Sequence, residues 1–337
     1  MKFAVLGLGF MGSTHLRALR AIPGVEVAAV CSLDERALTG DLSGIQGNIG
    51  GPGERLDFSA VKKFREPWPA LADPEIDAVD VCLPTNLHGE IAIAAMRAGK
   101  HVLVEKPMAL DGATCDAMVA EAEKQDRILM TAQVVRFIPA YAALRQAVRN
   151  GELGTVRSAA FRRRCAAPGW GGWLHDASQS GGGVFDLLIH DVDYCLHLLG
   201  KPQAVSATGY TNLAAGIDYV NAQLFYEQGV ATIAGGWHHP KAYPFSADYT
   251  VVADKATVEY NTSMPAPMAY GLDGNSSAVA VTKADGYAAE VLYFVECCRA
   301  GEKTTLCPPA ESADAVKTMR LIEDARARNG EKIECTI

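Results

Sequence analysis

Short apolar runs alternate with amphipathic stretches along the first 132 residues. Each run is rich in Val, Ile, Leu and Ala, and such runs predict buried strands, at residues 3–6, 25–31, 76–83, 101–104 and 128–131. In the stretches between them, apolar residues recur at helical spacing, and these predict helices, at residues 11–22, 90–98 and 111–125. Strands that alternate with helices indicate a parallel, doubly wound sheet, which is an α/β fold.

The pattern changes after residue 132. An amphipathic helix is predicted at residues 139–150 and a strongly apolar one at 184–199, and most of the remaining sequence alternates like strands. A single apolar face is typical of an antiparallel sheet that is packed on one side only. We therefore expect a second domain, residues 133–337, of α+β type with a large, mostly antiparallel, open-faced sheet. Its other elements are strands at 156–164, 205–208, 220–225, 230–235, 247–252 and 257–260, and helices at 287–300 and 312–328.

Gly7, Gly9 and Gly12 follow the first predicted strand and open the first predicted helix. In a G-x-G-x-x-G motif the first glycine makes a tight turn, the second lets a pyrophosphate approach the backbone, and the third lets the helix pack on the strand. The helix N-terminus then offers free N–H groups to the phosphates. This context predicts that residues 1–132 form a Rossmann dinucleotide-binding domain, with Phe10 and Met11 in the cofactor loop. A glycine-rich turn in a flavodoxin-like domain is the alternative.

Ser32 stands at the end of the second predicted strand, where a fold that prefers NAD usually carries a carboxylate for the ribose 2′-hydroxyl. A serine removes the charge that would repel a 2′-phosphate, and Arg36 is close enough in sequence to pair with one, which favours NADP over NAD. In the competing interpretation Asp34 reaches the ribose and Arg36 is a solvated helix charge. The glycine-rich residues 40–53 predict a mobile loop, either beside the adenine or a plain surface excursion.

Pro84, Thr85 and Asn86 follow the strand predicted at 76–83. At the carboxyl end of a parallel strand, these residues are expected to contact the nicotinamide ribose. The alternative for Asn86 is that it only caps the next helix. His88 fits a structural role as well as a cofactor-binding one.

Lys106 comes directly after the strand predicted at 101–104 and the acidic Glu105. In an open α/β sheet, ligands bind beyond the carboxyl ends of the strands. A lysine at that edge can hold a positive charge beside a developing alkoxide, or shift its pKa and move protons. Pro107 restricts the turn that presents it. The alternative is a surface lysine in a strand-to-helix loop.

Asp186 and His190 are four residues apart in the apolar helix predicted at 184–199. Positions i and i+4 share one helix face, so the two side chains project together. A carboxylate beside an imidazole can form an acid–base pair, supply two metal ligands, or make a hydrogen bond with no chemistry. The spacing alone leaves all three open, and the role of Asp191 is open as well.

Three tryptophans lie where a substrate could be held. Trp170 and Trp173 belong to a glycine-rich loop, where their aromatic faces could stack on the C–H faces of a ring or pack a domain junction. Trp237 ends a predicted strand, followed by His238 and His239. Adjacent residues of a strand point in opposite directions, so at most one of these two histidines faces a substrate.

Composition narrows the class of protein. The 337 residues carry a formal net charge of −8, so the chain has no electrostatic footprint for nucleic acid. The nine cysteines contain no C-x-x-C pair, which indicates reduced thiols in a cytoplasm rather than a zinc or thioredoxin-like site. No leader-like segment and no apolar span of about 18 residues is present, so neither secretion nor a membrane anchor is expected.

The chain resembles the glucose–fructose oxidoreductase and inositol dehydrogenase family (Gfo/Idh/MocA) in the order and spacing of its motifs. The segment from Arg136 to Tyr141 is similar to that family's entry into its second domain. The resemblance implies a catalytic set of Lys106, Asp186 and His190, with Glu105 near the cofactor and Arg136 near the substrate. The motifs that carry it are Gly7-x-Gly9-x-x-Gly12, Pro84-Thr85-Asn86-x-His88, Gly99-Lys100-His101-x-x-x-Glu105-Lys106-Pro107 and Gly181-Gly182-Gly183-x-x-Asp186-x-x-x-His190-Asp191.

These features together predict a cytoplasmic NAD(P)-dependent dehydrogenase that acts on a secondary alcohol of a sugar or cyclic polyol. In the family the open sheet packs against another subunit, which implies a homodimer or homotetramer. No metal, nucleic acid or membrane partner is expected. Two alternatives remain: elimination or glycoside cleavage through transient oxidation with a recycled cofactor, and a non-catalytic nucleotide sensor.

Overall fold

A computed structural model describes residues 1–47 and 53–337. The described chain divides into two compact units. The first contains Met1–Gln133 and Tyr287–Ala313, and the second contains Val134–Gly286 and Asp314–Ile337. Residues 48–52 of the loop predicted at 40–53 lie outside the described residues.

The first unit is built on a parallel sheet of six strands among the described residues, in the order β3-β2-β1-β4-β5-β6. This confirms the α/β prediction for the N-terminal region. The strands are β1 Lys2–Leu6, β2 Glu26–Cys31, β3 Lys62–Phe64, β4 Ala78–Val81, β5 His101–Glu105 and β6 Leu129–Ala132, and the connecting helices are α1 Phe10–Ala21, α2 Glu35–Leu38, α3 Trp68–Ala72, α4 Thr85–Arg97 and α5 Gly112–Lys124.

The helices of this unit begin where local chemistry satisfies their first N–H groups. Asp111 caps α5, since its carboxylate accepts a hydrogen bond of 2.8 Å from the backbone N–H of Thr114. Asp34 caps α2 in the same way, accepting from the N–H of Arg36 at 2.9 Å. The residues of β1, β4 and β5 are almost wholly buried, because helices of an α/β fold cover both faces of the sheet.

The second unit contains a sheet of nine described strands, in the order β14-β13-β12-β11-β7-β10-β9-β8-β15. β7 and β10 are parallel, and every other neighbouring pair is antiparallel, as predicted. The strands are β7 Val156–Cys165, β8 Ala204–Asn212, β9 Ile217–Tyr226, β10 Gly229–Trp237, β11 Ser246–Ala253, β12 Ala256–Asn261, β13 Met268–Gly271, β14 Ser276–Ala278 and β15 Ile333–Glu334, and the helices are α6 Pro139–Arg149, α7 Ala177–Ser180 and α8 Gly183–Leu199.

Helix α8 covers one face of this sheet. Along β7 the buried positions Ala159, Phe161 and Arg163 alternate with the less buried Ala160 and Arg162. The inward residues contact α8, because Phe161 meets the ring of its Tyr194 edge-on at 5.7 Å between centroids. The alternation leaves the opposite face open, which confirms the predicted open-faced sheet.

Two further helices are α9 Gly286–Ala300 and α10 Pro309–Ala327. Residues 287–313, which the sequence-based division placed in the second domain, belong to the first compact unit. The physical reason is core packing: the ring of Phe294 in α9 meets that of Phe3 in β1 at 6.2 Å, and both are buried. Among the described residues, every helix is too short or too polar to span a bilayer.

Candidate functional site

The glycine loop between β1 and α1 has the geometry that a pyrophosphate requires. Gly7 has φ +98°, and a Cβ there would lie 2.3 Å from the carbonyl oxygen of Cys82. A Cβ on Gly12 would lie 1.8 Å from the carbonyl oxygen of Gly7, so only glycine lets the helix start this close to the loop. Gly9 is exposed, and among the described residues nothing lies within 4 Å of where its Cβ would be. The space in front of Gly9 is therefore open to a ligand.

The N-terminus of α1 also suits an anion. No acidic residue stands in its first turn, and its N-cap, Gly9, supplies no side-chain hydrogen bond. The first N–H groups of the helix therefore remain available to phosphate oxygens. Phe10 and Met11, both half-buried, form the start of this turn. These residues fit the diphosphate of a dinucleotide.

Ser32, Asp34 and Arg36 lie together after β2. The hydroxyl of Ser32 accepts the N–H of Asp34 at 3.1 Å, while the carboxylate of Asp34 is held as the cap of α2. Arg36 donates to Asp41 at 2.9 Å, and Arg55 donates to the same carboxylate at 3.1 Å. Hydrogen bonds from Arg36 and Ser43 hold the pKa of Asp41 well below its usual range. Two exposed guanidinium groups therefore share one carboxylate beside the strand end.

Pro84, Thr85 and Asn86 lie where the turn after β4 enters α4. Thr85 is buried at the first position of the helix, whereas Asn86 is exposed. The N-cap is Pro84, so Asn86 does not cap α4. His88 is buried, and its two ring nitrogens lie 2.9 Å from the carbonyl oxygen of Pro107 and 2.8 Å from that of Leu83. Burial lowers the pKa of His88, although both carbonyl contacts oppose that effect.

His88 therefore fixes the loop that carries Lys106. The bond to Pro107 joins α4 to the turn directly after β5, and the Lys106–Pro107 peptide bond in that turn is cis. Glu105 is buried at the end of β5, and its Oε2 accepts the backbone N–H of Lys106 at 3.0 Å. Lys106 itself is only half-buried. The lysine thus stands at the carboxyl edge of the sheet, on a turn held by hydrogen bonds from His88 and to Glu105.

Asp186 and His190 lie on helix α8, as predicted. Nearly every residue of this helix is buried, and Asp186, His190 and Leu199 are its partly exposed positions. Since i and i+4 residues share a face, the carboxylate and the imidazole project on the same side of α8. That face is the accessible one, as an acid–base pair requires.

Asp191, whose role the sequence left open, lies on the opposite, buried side of α8. Its carboxylate accepts two hydrogen bonds from Arg163 of β7, at 2.8 and 3.0 Å. Burial raises the pKa of Asp191, and the Arg163 guanidinium opposes that rise. Asp191 therefore ties the helix to the sheet.

Arg136, predicted near the substrate, is 2% exposed. Its Nε and Nη2 donate to the two carboxylate oxygens of Asp193 at 2.8 and 2.7 Å. A buried, bidentate pair of this kind positions backbone elements, since both charges are already compensated. The geometry favours a structural role for Arg136.

Trp170 and Trp173 are half-buried in the loop that leads to α7, in which Gly171 has φ +64°. Trp237 is 1% exposed, and a Cβ on Gly183 would lie 2.4 Å from its indole. The structure therefore favours a packing role for Trp237 over the predicted role in lining a pocket, because this indole fills the space beside the start of α8. Of the two histidines after it, His238 is the exposed one.

A buried charged cluster in the first unit escaped the sequence analysis. His15 of α1 is fully buried, and its Nδ1 lies 3.0 Å from Oδ1 of Asp80 in β4. Its Nε2 lies 3.2 Å from Oε1 of Glu105 and 3.7 Å from Oε1 of Glu290 in α9. A usable signal was present in Asp80, a carboxylate inside an otherwise apolar strand, because buried charges are paired. Glu290 carried no such signal.

The fold and site define an α/β protein with a dinucleotide-binding unit. Comparison with known proteins makes this specific: the family description "Oxidoreductase family, NAD-binding Rossmann fold" matches residues 1–133, and "GFO/IDH/MocA C-terminal domain" matches residues 141–259. The chain belongs to the Gfo/Idh/MocA family of oxidoreductases. Its first unit has an NAD-binding Rossmann fold.

Individual relatives are similar over different shares of the chain. Myo-inositol 2-dehydrogenase of Thermotoga maritima is 33% identical over 203 residues, which are 60% of this chain and 55% of the relative. The chain thus spans little more than half of that relative's length. D-apiose dehydrogenase of Paraburkholderia graminis is 28% identical, over 99% of this chain and 89% of the relative. A solved levoglucosan dehydrogenase, in complex with NADH and levoglucosan, has the same fold, with a TM-score of 0.85 at 18% identity over 100% of both chains.

Proposed function

We propose that this protein is a dehydrogenase that uses a nicotinamide dinucleotide to oxidise a secondary alcohol of a sugar or cyclic polyol. The observation that carries the proposal is Lys106 at the end of β5, in the same parallel sheet in which β1 ends in the glycine loop. Carboxyl ends of parallel strands share one edge, so a cation and a dinucleotide loop lie at the same edge of this sheet. The names of the inositol and apiose relatives support a polyhydroxylated substrate.

In the proposed reaction the substrate alcohol loses a hydride to the cofactor and a proton to the protein. A bound nicotinamide would supply the hydride acceptor for oxidation of the carbinol carbon to a ketone. His190 takes the hydroxyl proton as general base, since an imidazole titrates near working pH. Lys106 binds the same oxygen and stabilises its negative charge as the proton leaves. Asp186 orients His190 or binds a neighbouring hydroxyl group.

We propose that the cofactor is held by the residues that the sequence singled out, with two kinds of role. The glycine loop and the exposed strand ends contact it directly. Buried His88 and Glu105 do not contact the cofactor but position the turn around Lys106, because their polar atoms are hydrogen-bonded to that turn. The contact residues are Gly7, Gly9, Phe10, Met11, Gly12, Ser32, Arg36, Pro84, Thr85, Asn86 and Lys106.

For the cofactor we propose NADP over NAD. The carboxylate of Asp34 already caps α2, and the residue at the strand end, Ser32, carries no carboxylate. Arg36 and Arg55 both donate to the Asp41 carboxylate, and their exposed guanidinium groups suit a 2′-phosphate. A fluorescence titration with NADPH and NADH tests the choice. Tighter binding of NADH would move the ribose contact to Asp34.

The remaining proposals follow from family membership. We propose residues 1–132, together with residues 287–313 of the same compact unit, as the cofactor domain, and the rest of residues 133–337 as the domain that binds substrate, with Trp170 and Trp173 facing the sugar. We propose a homodimer or homotetramer assembled through the open face of the sheet, and a cytoplasmic location. Mass measurement in solution tests the assembly directly.

The experiment that tests the function combines a polyol screen with one substitution. Lys106→Ala should reduce kcat by about 10²–10³-fold, as expected for loss of an electrostatic contact to the reacting oxygen. Cofactor affinity should fall much less than kcat, because the glycine loop supplies most of the proposed cofactor contacts. Lys124→Ala, an exposed lysine at the end of α5, is the matched control. Undiminished turnover in Lys106→Ala would refute the assignment, and product release without net cofactor reduction would indicate redox-assisted elimination.

A further inference from the structure

Four ionisable side chains meet in the interior of the first unit, behind the turn that carries Lys106. They are His15 on α1, Asp80 on β4, Glu105 at the end of β5 and Glu290 on α9. His15 is the centre of this cluster, because its two ring nitrogens face carboxylates on opposite sides. Each of the four residues is less than 7% exposed.

The two sides of the imidazole differ in how well their carboxylates are satisfied. On the Nδ1 side, Asp80 lies at 3.0 and 3.1 Å, with the Cys82 thiol 3.7 Å from the ring. On the Nε2 side, Glu105 lies at 3.2 Å, as an ion pair without a hydrogen bond, and its other oxygen accepts the N–H of Lys106. Glu290 lies at 3.7 Å, and its two oxygens make no hydrogen bond among the described residues. A buried carboxyl without partners is strongly disfavoured in its charged form.

The protonation states follow from these surroundings. Burial lowers the pKa of His15, but Asp80 and Cys82 outweigh that effect, and the net pKa lies well above its usual value. Burial alone would raise the pKa of Glu105, yet contacts with His15 and Lys106 bring it below its usual value. Burial raises the pKa of Glu290 to about 7, with His15 opposing the rise and Glu105 and Asp80 adding to it. Glu290, whose carboxyl oxygens have no hydrogen-bond partner among the described residues, is therefore a group whose charge changes near neutral pH.

We propose that Glu290 is a positioning residue for the dehydrogenase reaction, and that it acts on Lys106 through His15 and Glu105. The inference rests on the proposed function, because it assumes that Lys106 contacts the reacting oxygen. With Glu290 protonated, the positive charge of the His15 imidazolium is balanced on its Nε2 side by Glu105 alone, whose other oxygen holds the Lys106 backbone. With Glu290 ionised, two carboxylates share that positive charge, and its hold on Glu105 weakens.

The experiment measures kcat against pH for the wild type and Glu290→Gln. Glutamine keeps the shape of the protonated carboxyl and cannot ionise, so the ratio of variant to wild-type kcat should be close to one below about pH 6. Above about pH 7 the ratio should rise about fivefold, the effect of one weakened ion pair. The ratio cancels any pH dependence that both proteins share. A merely structural role gives a ratio that is constant with pH, and that result would overturn the proposal.

Two controls keep the outcome interpretable. Glu296→Gln changes an exposed carboxylate of the same helix and should leave the profile unchanged. Glu290→Met, neutral and similar in length, replaces the glutamine variant if that protein does not fold. It should give the same rise in the ratio.

A second measurement separates this inference from the proposed function. The infrared carbonyl band of a protonated carboxyl, taken as wild type minus Glu290→Gln, should disappear as the pH rises through neutrality, with or without turnover. If no polyol is oxidised, the proposed function fails, while the band still reports the proton on Glu290. If turnover depends on Lys106 but the kcat ratio stays flat, this inference alone fails.

Discussion

Arg163 of β7 and Asp191 of α8 form a buried ion pair, with hydrogen bonds of 2.8 and 3.0 Å and side-chain exposures of 6% and 1%. Asp191 directly follows His190, yet the two side chains serve different purposes. The pair fixes the rotation of α8 on the sheet, and this rotation places Asp186 and His190 on the partly exposed side of the helix. A structural carboxylate thereby supports a proposed catalytic face.

Replacing Asp191 with Asn should destabilise the protein by about 3 kcal/mol, because the Arg163 guanidinium would stay buried without its counter-charge. Urea denaturation measures this change in the free energy of unfolding. The matched control is Asp254→Asn, which breaks an ion pair between Asp254 and Arg157 in which both side chains are well exposed. It should have little effect, since solvent already screens that pair. Equal effects of the two substitutions would show that burial of the Arg163 pair is not what matters.

Gly9 and Gly12 should respond to alanine in opposite ways. Gly12→Ala should destabilise the fold, because its Cβ would lie 1.8 Å from the carbonyl oxygen of Gly7. Gly9→Ala should keep its melting temperature, since its Cβ meets nothing within 4 Å among the described residues and its φ is −76°. The methyl group would instead stand where the pyrophosphate is expected, and cofactor affinity should fall at least tenfold, or about 1.4 kcal/mol.

Thermal melting and cofactor titration of the two variants check this division. Loss of melting temperature in Gly9→Ala, or unchanged cofactor binding by it, would mean that the open space in front of this residue is not the phosphate site.

The sequence was sufficient for elements whose pattern is local. The bounds of β1, β2 and β5 were predicted to within a residue or two, because each strand is a nearly continuous run of apolar residues. Strand β3, Lys62–Phe64, was missed: it is short and polar, and pairing with β2 is what makes it a strand. Helix α4 begins at Thr85, directly after Pro84, five residues before the predicted start. The prediction began the helix where apolar residues first recur at helical spacing, and the first turn of a helix does not need that spacing.

The site was predictable only where motifs carry it. The ion pair between Arg136 and Asp193 was not predicted, because the two residues are 57 positions apart and no local pattern joins them. The same holds for Glu290, which reaches His15 from a helix near the far end of the chain. Contacts between distant segments are set by packing, so the buried pairs that hold the functional residues in place were the part that sequence could not supply.

Substitution of Ser32 by Asp should shift cofactor preference towards NADH. An aspartate can accept the N–H of residue 34 as the serine hydroxyl does at 3.1 Å, so the strand end should keep its conformation. Its carboxylate would repel a 2′-phosphate and accept the ribose 2′-hydroxyl instead. The ratio of NADPH to NADH dissociation constants should rise at least tenfold by fluorescence titration. Asp34→Asn serves as the control, and a shift in that variant instead would assign the ribose to Asp34.

Stability should depend on pH through Glu290 in a direction that follows from its pKa. Burial raises the pKa of Glu290 to about 7 in the folded protein, from an ordinary value of 4.5. Between these values the folded state holds a proton that the unfolded state has released, so rising pH destabilises the wild type relative to a variant that cannot ionise. Glu290→Gln should therefore gain on the wild type by about 3 kcal/mol between about pH 4.5 and pH 8. Urea denaturation of both proteins across this range gives the difference directly. A difference that stays constant with pH would place the pKa of Glu290 at its ordinary value and remove the electrostatic basis for its positioning role.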